Sequence, residues 1–139
     1  MNPPTFLASS LYVAGGGAVG AWLRYIVGRL WMRAIGPVAA SAFPIATLTV
    51  NAVGSFAMGV LAGWLARHGS NAGLGGEGWR LLLGVGVLGG FTTFSAFSLE
   101  LANFIERGAL GQAALYAAVS LGAGVTGLFL GLMMMRALG

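Results

Sequence analysis

The sequence contains no cysteine, no lysine and no aspartate, and it has a single histidine, His68. Without cysteine there is neither a disulfide framework nor a thiolate metal site. One histidine in a polar connector leaves no histidine-based acid and base pair. Charge is scarce: seven Arg and three Glu (Glu77, Glu100 and Glu106) make up 7% of 139 residues. A water-soluble domain disperses itself with a charged surface, and ten formal charges do not supply one. The net charge of +4 and a pI near 10.8 come from arginines scattered between apolar runs, so no basic stripe for nucleic acid forms. The sequence also has no phosphate-binding loop that would serve ATP-driven work.

Hydrophobic residues make up 58% of the chain, mean hydropathy is +0.88, and 25 residues are glycine. That balance belongs in a bilayer. A spanning helix needs about 20 mostly apolar residues to cross roughly 30 Å of hydrocarbon. Four runs qualify, over 6–27, 44–66, 81–100 and 111–135. The opening Met-Asn-Pro-Pro-Thr lacks the basic segment of a secretory leader, so the first run is expected to be a retained span. The connectors are 29–43, with Gly36-Pro37 and Pro44 as breakers, the Gly-rich 67–80, and the short 101–108. The expected fold is an all-α membrane protein, with residues 1–139 forming one four-helix domain.

Arginine counts do not choose an orientation. Arg67, Arg80 and Arg136 fall on one side of such a topology, and Arg29, Arg33 and Arg107 on the other. A chain without bias is expected to insert both ways, and an inverted pair would then supply the inverted repeat that many transporters encode within one chain. A weak bias hidden by uncertain helix ends is the alternative. Small residues four apart (Gly16 and Gly20, Ser55 and Gly59, Gly59 and Gly63, Gly86 and Gly90, Gly127 and Gly131) permit close helix approach and favour a bundle completed as an oligomer.

The third run carries Leu-Gly-Gly-Phe-Thr-Thr-Phe-Ser-Ala-Phe-Ser-Leu-Glu over 88–100, with two glycines and four hydroxyls at mid-depth. Irregular backbone there is tolerated only against protein or a polar cavity, which predicts a helix break near Gly89-Gly90. A continuous Gly-rich packing helix is the alternative. Phe94 and Phe97 share a helix face, where ring edges could meet an anion, although the spacing also suits ordinary core packing. Asn51, in an apolar span, needs a partner, either an anion for its N–H donors or an interhelical hydrogen bond. Thr47 lies one turn before it. Tyr116, Ser120 and Gly124 follow at intervals of four, aligning two hydroxyls on one stripe; interfacial and packing roles are the alternatives. Arg24 is an intramembrane cation and hence a candidate for an anion path, unless it snorkels or pairs structurally. Glu100 either caps the polar stripe or lies among headgroups.

Three segments carry a family resemblance: 17–25 (Gly-Ala-Val-Gly-Ala-Trp-Leu-Arg-Tyr), 47–56 (Thr-Leu-Thr-Val-Asn-Ala-Val-Gly-Ser-Phe) and the motif at 89–100. In this order they resemble the small bacterial fluoride channels of the Fluc or CrcB family, over nearly the whole chain. The resemblance implies a non-enzymatic, multi-pass protein of the bacterial inner membrane. It further implies an antiparallel homodimer of dual topology with two fluoride pores, which exports fluoride passively and confers fluoride resistance. It implies a third helix broken at its centre, with backbone carbonyls of Gly89 and Thr92 from both subunits holding a structural sodium ion. It assigns Asn51, Phe94, Ser95, Phe97, Thr47, Tyr116, Ser120, Arg24 and Glu100 to the pore region. Ala96 and Gly124 depart from the family pattern, where hydroxyl residues are frequent.

Two other classes fit four apolar helices. A proton-coupled exporter of cationic drugs would want a buried carboxylate in its first helix, where this chain has Arg24. A non-transporting assembly protein would bind no ion.

Overall fold

The computed structural model describes residues 4–69 and 74–138, and every regular element among them is helical. Four helical stretches are long and apolar enough to cross a membrane: Phe6–Ala42, Ile45–His68, Gly75–Glu106 and Leu110–Ala137. Leu7, Leu121, Phe129 and Met133 are among many large apolar side chains left exposed. Lipid, not water, is the solvent for such a surface.

Helix α1 spans Phe6–Ala42, and the Thr5 hydroxyl caps it by accepting from the Ala8 amide at 3.3 Å. The connector expected over 29–43 is therefore mostly helix. Gly36 alone leaves the helical path, with φ 79° and ψ 163°, a conformation open to glycine, and Pro37 follows with the φ that restarts a helix. The breaker pair interrupts the helix at Gly36, and a short second helical segment runs on from Pro37 to Ala42. Helix α2 is Ile45–His68. The connector read over 67–80 shrinks from both ends, and its centre, 70–73, lies outside the described residues, as do residues 1–3.

The third span is composite. It comprises α3 (Gly75–Trp79), a π-helical stretch (Arg80–Leu88), α4 (Gly89–Phe91) and α5 (Phe94–Glu106). It bends between α4 and α5, where Thr92 (φ −82°, ψ 161°) and Thr93 (φ −154°, ψ 116°) are extended. Gly89 and Gly90, where the sequence suggested the irregularity, are helical. The reason is packing: a Cβ on Gly90 would lie 2.5 Å from the Gly17 carbonyl oxygen of α1. Gly90 serves helix contact, and the chain turns at Thr92 and Thr93. Helix α6 is Leu110–Ala137.

The small-residue pairs seat one span on another within the chain. Gly16 and Gly20 lie against the backbone of Leu82, Gly86 and Val87, so α1 and the third span run in the same direction. Gly59 faces Leu128 and Gly63 faces Met135, so α2 and α6 run together the opposite way. Close backbone approach of this kind is how helices associate in lipid. Arg67 donates to the Arg136 carbonyl at 2.8 Å, tying the ends of α2 and α6 on the side where α1 begins. Arg29, Arg33 and Arg107 belong to the other side. The small core is aromatic: Phe97, Phe104 and Tyr116 cluster with Ala113, and Phe43 packs on them.

Candidate ion pathway

The bend in the third span is held from outside. An extended residue in a helix releases backbone groups that need partners. The Thr93 amide donates to Asn51 Oδ1 at 2.8 Å, and Asn51 Nδ2 donates to the Thr93 carbonyl at 3.0 Å. One amide side chain thus satisfies both backbone groups of one residue, and Thr93 is only 8% exposed. The Thr93 hydroxyl then caps α5 by accepting from the Ala96 amide at 3.2 Å. Since the Thr93 and Ala96 amides are turned to these side-chain acceptors, the carbonyls of Gly89 and Thr92 lose the donors one turn ahead of them.

Beside this clamp lies a groove of about 410 Å³. Its walls include Asn51 and Ser55 from α2, Phe94 and Phe97 from α5, and Ser120 and Gly124 from α6. Asn51 Nδ2 keeps a second hydrogen beyond the one given to Thr93. The Ser120 hydroxyl is buried and has no hydrogen-bond partner among the described residues. Phe94 and Phe97 share a face as their spacing suggests, with ring centroids 5.7 Å apart. Their surroundings differ: Phe97 is 9% exposed and packs on Tyr116 at 5.1 Å, whereas Phe94 is 76% exposed and forms an open edge of the groove.

Past Phe97 the polar atoms continue as a triad. Tyr116, wholly buried, donates to Glu100 Oε2 at 2.6 Å, and Thr47 donates to Glu100 Oε1 at 2.7 Å. Helices α2, α5 and α6 each contribute one member. Phe43 meets Tyr116 edge-on at 5.5 Å and completes its apolar enclosure. Next to the triad is a second cavity of about 370 Å³, whose lining includes Thr47, Glu100, Arg29, Asn103 and Arg107.

The structure thus brings Asn51, Phe94, Phe97 and Ser120 to one groove, and Thr47, Tyr116 and Glu100 to the triad next to it. Ser95 is exposed beside them, its hydroxyl 3.3 Å from that of Thr93. Arg24 is half-buried and lines neither cavity. Gly89 is exposed, and Thr92 lines the groove at the bend. Sequence reasoning missed two contributors, Thr93 and Ser55. Thr93 is visible only through its pairing with Asn51, 42 positions away. Ser55 reads in sequence as a small packing residue, yet its hydroxyl lies 3.5 Å from where a Cβ on Gly124 would stand. A hydroxyl from α2 therefore occupies the level at which α6 has only glycine.

Four apolar spans around a groove with polar lining define a small multi-span membrane protein with a candidate path for a polar solute. Residues 11–132 match the family described as CrcB-like protein, Camphor Resistance (CrcB). Relatives named "Fluoride-specific ion channel FluC" include those of Novosphingobium aromaticivorans, 60% identical over 94% of this chain and 98% of its own length, and Caulobacter vibrioides, 52% identical over 91% and 94%. A third, from Erythrobacter litoralis, is 50% identical over 96% and 95%. The chain belongs to the CrcB-like family, and it is a multi-pass protein of the bacterial inner membrane.

Proposed function

We propose that this chain is a fluoride channel that lets fluoride leave the cell passively and so confers fluoride resistance. The observation that carries this reading is the groove in which the spare Asn51 hydrogen, the unpartnered Ser120 hydroxyl and two phenylalanine rings converge beside the Thr47, Glu100 and Tyr116 triad. The names borne by relatives of 50–60% identity support the choice of ion. Fluoride is small and strongly hydrated, so a pore must replace much of its water shell while holding it weakly enough to release. Amide and hydroxyl hydrogens and the positive edges of aromatic rings meet that need. Thr47 and Tyr116 take part by offering hydroxyl hydrogens that otherwise go to Glu100. Ser95 and Arg24 belong to the surroundings of the path, the first beside the bend and the second as a cation in α1.

The working unit is an antiparallel homodimer of dual topology with two pores. Two features support it: the groove is open on one side in a single chain, with Phe94 mostly exposed, and the arginines divide three against three between the two ends. In this reading the bend at Thr92 and Thr93 is a full break of the third helix. The carbonyls of Gly89 and Thr92, released from the helical ladder, suit a hard monovalent cation, and those of two copies would hold a structural sodium ion. When bound, that ion supplies positive charge to the crossing of the two third spans and fixes them together.

Fluoride efflux from liposomes containing the purified protein, followed with a fluoride electrode beside chloride-loaded controls, tests the function. Fast fluoride release with negligible chloride release is expected. Absence of fluoride release from demonstrably folded protein would overturn the proposal and leave the exporter and assembly classes to be tested.

A further inference from the structure

The 370 Å³ cavity next to the triad has a feature that the proposed channel does not itself require. Arg29 from α1 and Arg107, at the end of α5, both line it, and both are exposed. The carboxylate nearest to hand is Glu100, which lines the same cavity. Its two oxygens accept from Thr47 and Tyr116, and among the described residues it forms no salt bridge with either arginine. Glu106, next in the chain to Arg107, is exposed and makes no ion pair; among the described residues the salt bridge present is that of Arg80 with Glu77, on the opposite side. Arg107 is held in place by its own helix end: Nε donates to the Asn103 carbonyl at 2.9 Å and the guanidinium lies over the Phe104 ring at 5.3 Å. Its remaining donors are free to face the cavity. Thr47 and Glu100 are shared between this cavity and the triad, so an ion gathered here stands next to the proposed path.

We infer that this cavity is an anion-collecting mouth in which Arg29 and Arg107 concentrate fluoride in front of the Thr47, Glu100 and Tyr116 triad. The inference rests on the fluoride-channel reading and assigns these two arginines a task separate from permeation. They act on capture by their field, which a walled cavity focuses and salt screens. Two unit positive charges about 8 Å from the ion in a water-like dielectric would raise its local concentration roughly sixfold, and the opposing Glu100 carboxylate on the same wall brings the net enrichment to about two- to threefold, falling towards unity as the Debye length shrinks below that distance.

The test is the initial rate of fluoride efflux from liposomes at sub-saturating fluoride, with ionic strength varied from about 0.01 to about 1 M by an impermeant salt, a range over which the Debye length falls from about 30 to about 3 Å. Wild-type rate should fall by about twofold across the series. The Arg29→Gln/Arg107→Gln double variant should be slower by about three- to sixfold at low salt and match wild type at high salt. Arg29→Lys/Arg107→Lys should retain the wild-type profile, which a role in shape or hydrogen bonding would not predict. A wild-type flux indifferent to salt would overturn the mouth while leaving the channel standing, and that measurement needs no variant to fold. A deficit in the Gln variant that persists unchanged at high salt would overturn it equally. Absence of wild-type fluoride flux at any salt would instead remove the channel reading on which the mouth depends.

Discussion

Replacing Asn51 by alanine removes both hydrogen bonds that hold the bend, and its cost can be bracketed from two directions. Interhelical hydrogen bonds in membrane proteins average about 0.6 kcal/mol, so two amount to roughly 1 kcal/mol. The other bound is what remains behind: a buried N–H or C=O left without a partner costs about 1–3 kcal/mol each. Thr93 is 8% exposed and its extended conformation puts it outside the helical ladder, so neither group has a ready substitute. Asn51→Ala is therefore expected to destabilise the protein by about 2–4 kcal/mol, towards the unpaired bound. Thermal unfolding of purified protein in detergent measures this, and a midpoint lower by several degrees is expected. Fluoride flux at a temperature where the variant stays folded should fall too, because the bend sets the position of Phe94 and the capped start of α5. A midpoint within about 1 °C of wild type would refute the clamp, since a change that small corresponds to well under 1 kcal/mol.

The phenylalanine pair should separate by readout. Phe94→Ile is expected to lower fluoride flux with little change in unfolding temperature, because the ring is mostly exposed, whereas Phe97→Ala should destabilise by about 3–5 kcal/mol through the cavity left beside Tyr116. Unchanged flux in folded Phe94→Ile would remove that ring from the path. Ser55→Ala is expected to slow fluoride efflux, and adding Gly124→Ser should restore it by returning a hydroxyl from the facing helix; a double variant no faster than Ser55→Ala would show that the hydroxyl at that level is immaterial.

The four spans were legible because hydropathy over about 20 residues is a bulk property that needs no knowledge of neighbours. Their ends were less so. Arginines at 29 and 33 suggested an exit from the membrane, yet the helix runs past both and breaks only at Gly36, since charge ends a span without ending a helix. The sequence points to Gly89-Gly90 because glycines announce local freedom, while the actual turn, at Thr92 and Thr93, depends on a side chain from another helix. Asn51, Tyr116, Ser120 and Phe97 could be nominated as polar or aromatic residues on helical stripes. Ser55 could not, because a small residue four positions before a glycine is indistinguishable from a packing residue until Gly124 is seen opposite it. Arg24 stands out in sequence by its charge, but it lines neither cavity.

The π-helical stretch over Arg80–Leu88 sets the angular phase of everything that follows it in the third span. There the Gly89 amide reaches back to the Gly84 carbonyl, five residues away instead of four, so each turn holds surplus chain. An ordinary helix advances about 100° per residue, and deleting one position within this stretch would swing the downstream backbone by about that angle. Thr93 would then present another side to α2, out of reach of Asn51, with hydropathy and helix content almost unchanged. Length in this stretch is thus a hidden coordinate of the pathway, and shortening it by one residue would misdirect the bend without touching any residue that lines it.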